Sequence, residues 1–72
     1  MSEGAMRVDL SSKLVEAASY EEEMRRMRVY LTNGQQREYT DVPPAVFNDL
    51  IRARSAGTYF MENIRGRFAQ PD

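Results

Sequence analysis

The chain has no cysteine and no histidine. The first absence excludes disulfides, thiolate metal sites and cysteine nucleophiles. The second removes the commonest general base and the commonest zinc ligand. No apolar run approaches the roughly 20 residues of a membrane span, and the N-terminus lacks the apolar core of a signal peptide. No glycine-rich phosphate loop, zinc spacing, internal repeat or low-complexity segment is present. These gaps argue against an enzyme, a metal or cofactor site and a membrane protein. They fit a cytoplasmic setting.

The chain has 72 residues and a net charge of −1. That length supports one domain with a small core, burying about 60% of its unfolded surface. The charge is polarised along the chain. Residues 1–23 carry Arg7 and Lys13 against Glu3, Asp9, Glu16, Glu21, Glu22 and Glu23. Residues 51–72 carry Arg52, Arg54, Arg65 and Arg67 against only Glu62 and Asp72. All basic residues but Lys13 are arginine, the side chain best shaped for planar contact with phosphate or carboxylate. Mixed solvated charge is the plain alternative to a binding surface.

Taken in order, residues 1–10 read as a flexible leader, with Arg7–Ser12 as a possible short extended arm. Residues 13–28 are ambiguous. Ala17, Ala18, the run Glu21-Glu22-Glu23 and the arginines favour helix, and Ser12 could cap it. The helical face through Leu14, Ala17, Ala18 and Glu21 is poor, however. From Arg26 to Thr32 the alternation is clear: Met27, Val29 and Leu31 interleave with Arg26, Arg28 and Tyr30. Asn33-Gly34 marks a hairpin, and Arg37–Thr40 returns from it. A two-residue loop would put Gln36, Glu38 and Thr40 on the apolar face. An odd loop puts Tyr39 and the stem of Arg37 there, so the odd loop is expected.

Asp41-Val42-Pro43-Pro44 ends the strand and opens a helix, with Asp41 as the expected cap. Val46, Phe47, Leu50 and Ile51 form its apolar stripe, and Arg52 and Arg54 fall in its last turn. Ser55-Ala56-Gly57 breaks this helix. A second is expected over Thr58–Arg65, with Ser55 or Thr58 as cap, Phe60 and Ile64 on one face, and Gly66 as a left-handed stop. Gln70-Pro71-Asp72 closes a polar tail over 69–72.

The run Ser55-x-Gly57-x-Tyr59-Phe60 followed by Ile64-Arg65-Gly66-Arg67-Phe68, with Asn33-Gly34, Tyr39, Val42-Pro43 and Leu50, resembles the KTSC domain family. That family is named for its place at the C-terminus of some lysyl-tRNA synthetases, and it also occurs as short stand-alone bacterial and phage proteins. The resemblance covers 11–68. It implies an α+β fold and favours strands near Leu14–Tyr20 and Met24–Thr32 over the helical reading. The expected architecture is a three-stranded antiparallel meander followed by two short helices on one sheet face. Met61 departs from the family, which commonly carries asparagine there, although Asn63 lies close by. Arg37 stands where the family has an aromatic residue.

Nucleic-acid contact is the leading functional expectation, RNA before DNA. Its candidate residues are Arg52, Arg54, Tyr59, Asn63, Arg65 and Arg67 at the helical end, with Gly57 and Gly66 allowing close backbone approach. A second candidate is the sheet face turned away from the helices, with Arg26, Arg28 and Tyr30 as a stacking platform between basic groups. The alternative is a protein–protein module docking on a larger enzyme or host factor, because tyrosine and arginine also suit protein hot spots. The glutamate run reads as solvated charge, not as a metal site.

Overall fold

The structure, a computed structural model, describes residues 5–68. The strands are β1 (Ala5–Asp9), β2 (Val15–Glu21), β3 (Arg26–Leu31) and β4 (Gln36–Tyr39). They form one antiparallel sheet in the order β1-β2-β3-β4. Helix α1 (Pro44–Arg52) follows, then α2 (Ala56–Tyr59), which runs on into a π-helical turn over Phe60–Ile64.

The meander therefore has four strands, not three. The added strand lies in the stretch expected to be a leader. Met6, Val8 and Leu10 alternate there with Arg7 and Asp9, a period of two that is short and ends in polar Ser11-Ser12. Pairing with β2 sets Val8 opposite Ala18 and Arg7 opposite Ser19. Residues 1–4 of the leader and the whole 69–72 tail lie outside the described residues.

The ambiguous segment resolves into β2 and β3. Helix propensity yields because β2 is an inner strand: Val15, Ala17, Ala18, Ser19 and Tyr20 are all buried. The register shifts between Val15 and Ala17, so Glu16 is an extra bulged residue. The bulge lets Val15 share the core face with Ala18 and Tyr20 despite its different parity. Glu22–Arg25 form the turn into β3, where Arg25 takes a left-handed φ of 52°.

The β3–β4 hairpin has the odd loop. Leu31 N–H donates to Gln35 C=O at 2.8 Å, leaving Thr32, Asn33 and Gly34 as the loop. Gly34 holds φ +92°, a conformation that suits glycine. Tyr39 consequently faces Met27 and is 1% exposed. Arg37 shares that side of β4, opposite Val29, but remains exposed.

Asp41 does not cap α1. It is exposed with φ +57°, and the N-cap is Pro43, which has no side-chain donor or acceptor to offer. Phe47 and Leu50 are buried, and Val46 and Ile51 pack at the core's margin. The helix stops at Arg52 with Ala53 as C-cap, so Arg54 lies beyond the last turn. At the next start, Ser55 Oγ accepts from Thr58 N–H at 3.2 Å, making Ser55 the cap. The second helix thus begins at Ala56, earlier than expected, and widens after Tyr59. Arg65 N–H donates to Phe60 C=O at 2.9 Å, a bond across five residues. Phe60 and Ile64 are both buried along this turn, and Gly66 follows with φ +78°.

Two contacts hold the layers together. Tyr20 stacks on Phe47 with ring centroids 5.3 Å apart and donates its buried hydroxyl to Val42 C=O. Tyr39 meets Phe60 edge-on at 6.2 Å. A third contact explains the glycine of the Ser-x-Gly run. A Cβ on buried Gly57 would lie 3.0 Å from Ser12 Oγ and 3.1 Å from Leu14 Cβ. That loop is itself braced, since Ser12 Oγ accepts from the N–H groups of Leu14 and Val15, each at 3.2 Å. Gly57→Ala is therefore expected to lower stability by about 1–3 kcal/mol, as overpacking does. Urea unfolding checks this, and an unchanged midpoint would show that the loop yields freely.

Candidate nucleic-acid interface

Seven of the nine arginines fall into two groups. On the face of the sheet away from the helices, Arg28 Nη2 lies 3.5 Å from Glu38 Oε1 and Arg26 Nε lies 3.4 Å from Glu38 Oε2. The Arg26–Glu38 contact is ionic, without a hydrogen bond at Nε. One carboxylate thus answers two guanidinium groups. The odd-loop register brings it there by setting Glu38 directly across from Arg28.

Tyr30 on the same face is also engaged. The Arg7 guanidinium sits 4.5 Å from its ring centroid. Arg7 Nε is in turn 3.3 Å from Asp9 Oδ1. A hydrogen bond from Ser19 holds the Tyr30 hydroxyl below the ordinary phenol pKa, assisted by Arg28 and Arg7 against the opposing effect of burial. The expected platform of Arg26, Arg28 and Tyr30 is therefore brought together, but a cation already covers one face of its ring. The sequence assigns Arg7 no role at this face, since the extended arm expected from Arg7 has no strand to pair with there, although the Met6-Val8-Leu10 alternation carries the signal.

At the helical end, Arg52, Arg54, Arg65 and Arg67 are exposed. Among the described residues none of the four has a carboxylate partner. Arg65 Nη1 is 3.2 Å from Met61 Sδ, a neutral contact that leaves its charge uncompensated. Of the other basic residues, Arg37 donates to Gln35 Oε1 at 3.0 Å, and Arg25 ends the glutamate turn.

Tyr59 and Asn63 contribute less. Tyr59 is half-buried, and its hydroxyl is pushed above the usual phenol range by burial, with the Asp49 carboxylate adding to the shift. Asn63 Nδ2 reaches back to Tyr59 C=O at 3.4 Å. Gly57 is packed under the Ser12–Leu14 loop and offers no open backbone, whereas Gly66 is exposed with open space around it. Arg54 faces a different feature, a cleft of about 880 Å³ between the β1–β2 loop and α2. Leu14, Ile51 and Met61 supply its apolar lining, beside Lys13, Arg54 and Glu62. Sequence reasoning missed this cleft because its walls come from segments some 40 residues apart.

Among the described residues no group of three or more carboxylates is placed to hold a metal ion, and no helix is long and apolar enough to cross a membrane.

The family model described as the KTSC domain matches residues 11–68. The chain belongs to the KTSC domain family. A curated protein from Tsukamurella paurometabola is 34% identical over 59 residues, covering 82% of this chain and 88% of that protein. A lysine–tRNA ligase from Nostoc punctiforme is 34% identical over 55 residues, covering 76% of this chain. The match spans 10% of that ligase's length. The crystal structure of a KTSC domain protein from Yersinia pestis superposes with a TM-score of 0.87 at 22% identity, covering 94% of this chain and 96% of that one. The KTSC fold is thus an α+β module in which a four-stranded meander carries its helical segments.

The electrostatics of the sheet face give a direct test. Tyr30 is held below the ordinary phenol pKa, while burial raises Tyr20 and Tyr59 above it. In a tyrosine-resolved NMR titration toward high pH, Tyr30 is expected to ionise before Tyr20 and Tyr59. Ser19→Ala should move the Tyr30 transition upward, since it removes the hydrogen bond that favours the phenolate. If Tyr30 titrates together with Tyr20 and Tyr59, the sheet-face network is not formed in solution.

Proposed function

We propose that this KTSC domain is a non-catalytic RNA-contacting module that uses the helical end, with Arg52, Arg54, Arg65 and Arg67 as phosphate-binding groups. The carrying observation is the division of the arginines: those on the sheet face have Glu38 or Asp9 beside them, whereas these four are exposed and have no carboxylate partner among the described residues. An uncompensated guanidinium is free to displace counterions from a phosphate backbone, the main source of sequence-independent affinity. Exposed Gly66 between Arg65 and Arg67 leaves room for a close backbone approach. Tyr59 and Asn63 form the margin of this surface, and Tyr59 is too buried to stack a base over a whole ring face. The likeness to part of a lysine–tRNA ligase, an enzyme that acts on tRNA, favours RNA over DNA as the partner. A cytoplasmic setting belongs to the same proposal.

Fluorescence anisotropy with labelled tRNA and with a short single-stranded RNA tests this. Four phosphate contacts predict a log–log salt slope of about −3, so a fourfold rise in salt should weaken binding roughly sixtyfold. Arg65→Ala with Arg67→Ala should halve that slope and leave the circular dichroism spectrum unchanged, because both side chains are exposed. Binding that ignores salt, or that keeps its full affinity and salt slope in the double variant, would overturn the reading. No binding to either RNA at low salt would also overturn it and make a protein partner the better account of this surface.

A further inference from the structure

We propose that β1 is a dimerisation edge that pairs with the β1 strand of a second copy, joining two four-stranded sheets into one of eight strands. β1 ends the strand order, so its outer edge has no strand beside it among the described residues. Leu10 N–H donates to Glu16 C=O at 2.8 Å. By the alternation of an antiparallel ladder, Val8 and Met6 also turn their backbone groups toward β2, and Arg7 and Asp9 turn theirs outward. An outer edge of this kind is a template for another strand.

The side chains select both the partner and the register. Residues directly opposed on neighbouring antiparallel strands share a face. A dyad perpendicular to the joined sheet must therefore pass through a residue, not between two. Through Arg7 it sets arginine against arginine, and through Asp9 it sets aspartate against aspartate. Through Val8 it sets Arg7 opposite Asp9 of the second copy, twice, extending the Arg7–Asp9 contact within each copy into a four-charge row of alternating sign. The outward N–H and C=O groups of these residues then form four backbone hydrogen bonds across the dyad.

The other face agrees with this register. Met6, Val8 and Leu10 share the helix side of β1, where Val8 lies opposite core residue Ala18. Met6 is 58% exposed, the most exposed of the large apolar side chains among the described residues, and it lies in line with Val8 and Leu10 at this edge. With the dyad on Val8, Met6 meets Leu10 of the second copy and Val8 meets its equivalent. One register thus pairs both charges and covers exposed Met6 beside the partly buried Val8 and Leu10. Dimerisation uses neither the helical-end arginines nor Glu38, so it stands independently of the RNA reading.

Sedimentation equilibrium on the full 72-residue chain, with native mass spectrometry, tests the proposal. The wild-type chain is expected at twice the 8.3 kDa of a single copy. Arg7→Asp alone and Asp9→Arg alone each create like-charge pairs across the dyad and should weaken self-association by at least about tenfold. An equimolar mixture of those two variants restores both charge pairs and should give the mixed dimer. That rescue also excludes misfolding as the cause of the single-variant losses. A wild-type chain that stays at single-copy mass at high concentration, single variants that dimerise as the wild type does, or a mixture that fails to associate would each overturn it.

Discussion

Tyr20 ties the three parts of this domain together. Its backbone runs in the inner strand β2, its ring lies on Phe47 of α1, and its hydroxyl donates to Val42 C=O in the link between β4 and α1. The link has no regular structure of its own. Its Asp41 sits at φ +57°, and its Val42 N–H is taken by Arg25 C=O from the β2–β3 turn. Without the Tyr20 hydroxyl a buried carbonyl would lose its donor, at a cost of about 1–3 kcal/mol, a large share of what a domain this small can spare. With it, α1 has a set height over the sheet. The Ser55 cap and the packed Gly57 then bring α2 down onto the Ser12–Leu14 loop.

This arrangement changes the meaning of the chain's most recognisable residues. Ser55 caps, Gly57 permits close packing, Phe60 and Ile64 fill the core, and Gly66 supplies a left-handed turn. The Ser-x-Gly-x-Tyr-Phe run is in the main a folding device. What it leaves outside is a set of arginines at the end of the helical layer, and these carry the functional proposal. The sheet face does the reverse. Its arginines and Tyr30 look available in the sequence, yet Glu38, Ser19 and Arg7 engage them.

Much of this was legible in the sequence, for identifiable reasons. The β3–β4 register followed from asking which parity buries Tyr39, because a one-residue slip reverses every side chain. That same register carries the Arg28–Glu38 pair, a consequence that alternation alone contains. Other features were not legible. β1 is five residues long, and its pattern competes with the flexible composition around it. The Glu16 bulge breaks the period-two pattern of β2, so alternation alone leaves the segment ambiguous between helix and strand. The π turn arises from tertiary packing of Phe60 and Ile64 and has no local signal. Asp41 is a frequent capping residue type, but the prolines that follow move the helix start to a position it cannot reach. The cleft beside Arg54 exists only once loops distant in sequence are folded together.

The central claim is that the sheet-face arginines, which have Glu38 or Asp9 beside them, are structural and that the four helical-end arginines are available to RNA. The most direct measurement is an amide-resolved NMR titration of the labelled domain with tRNA at low and at moderate salt. The account predicts shifts clustered at Arg52–Arg54 and Arg65–Arg67 that shrink as salt rises, with Arg26–Tyr30 unmoved. Shifts centred on Arg26, Arg28 and Tyr30 would contradict it, because RNA would then be displacing Glu38 and Arg7 from a face read here as already satisfied.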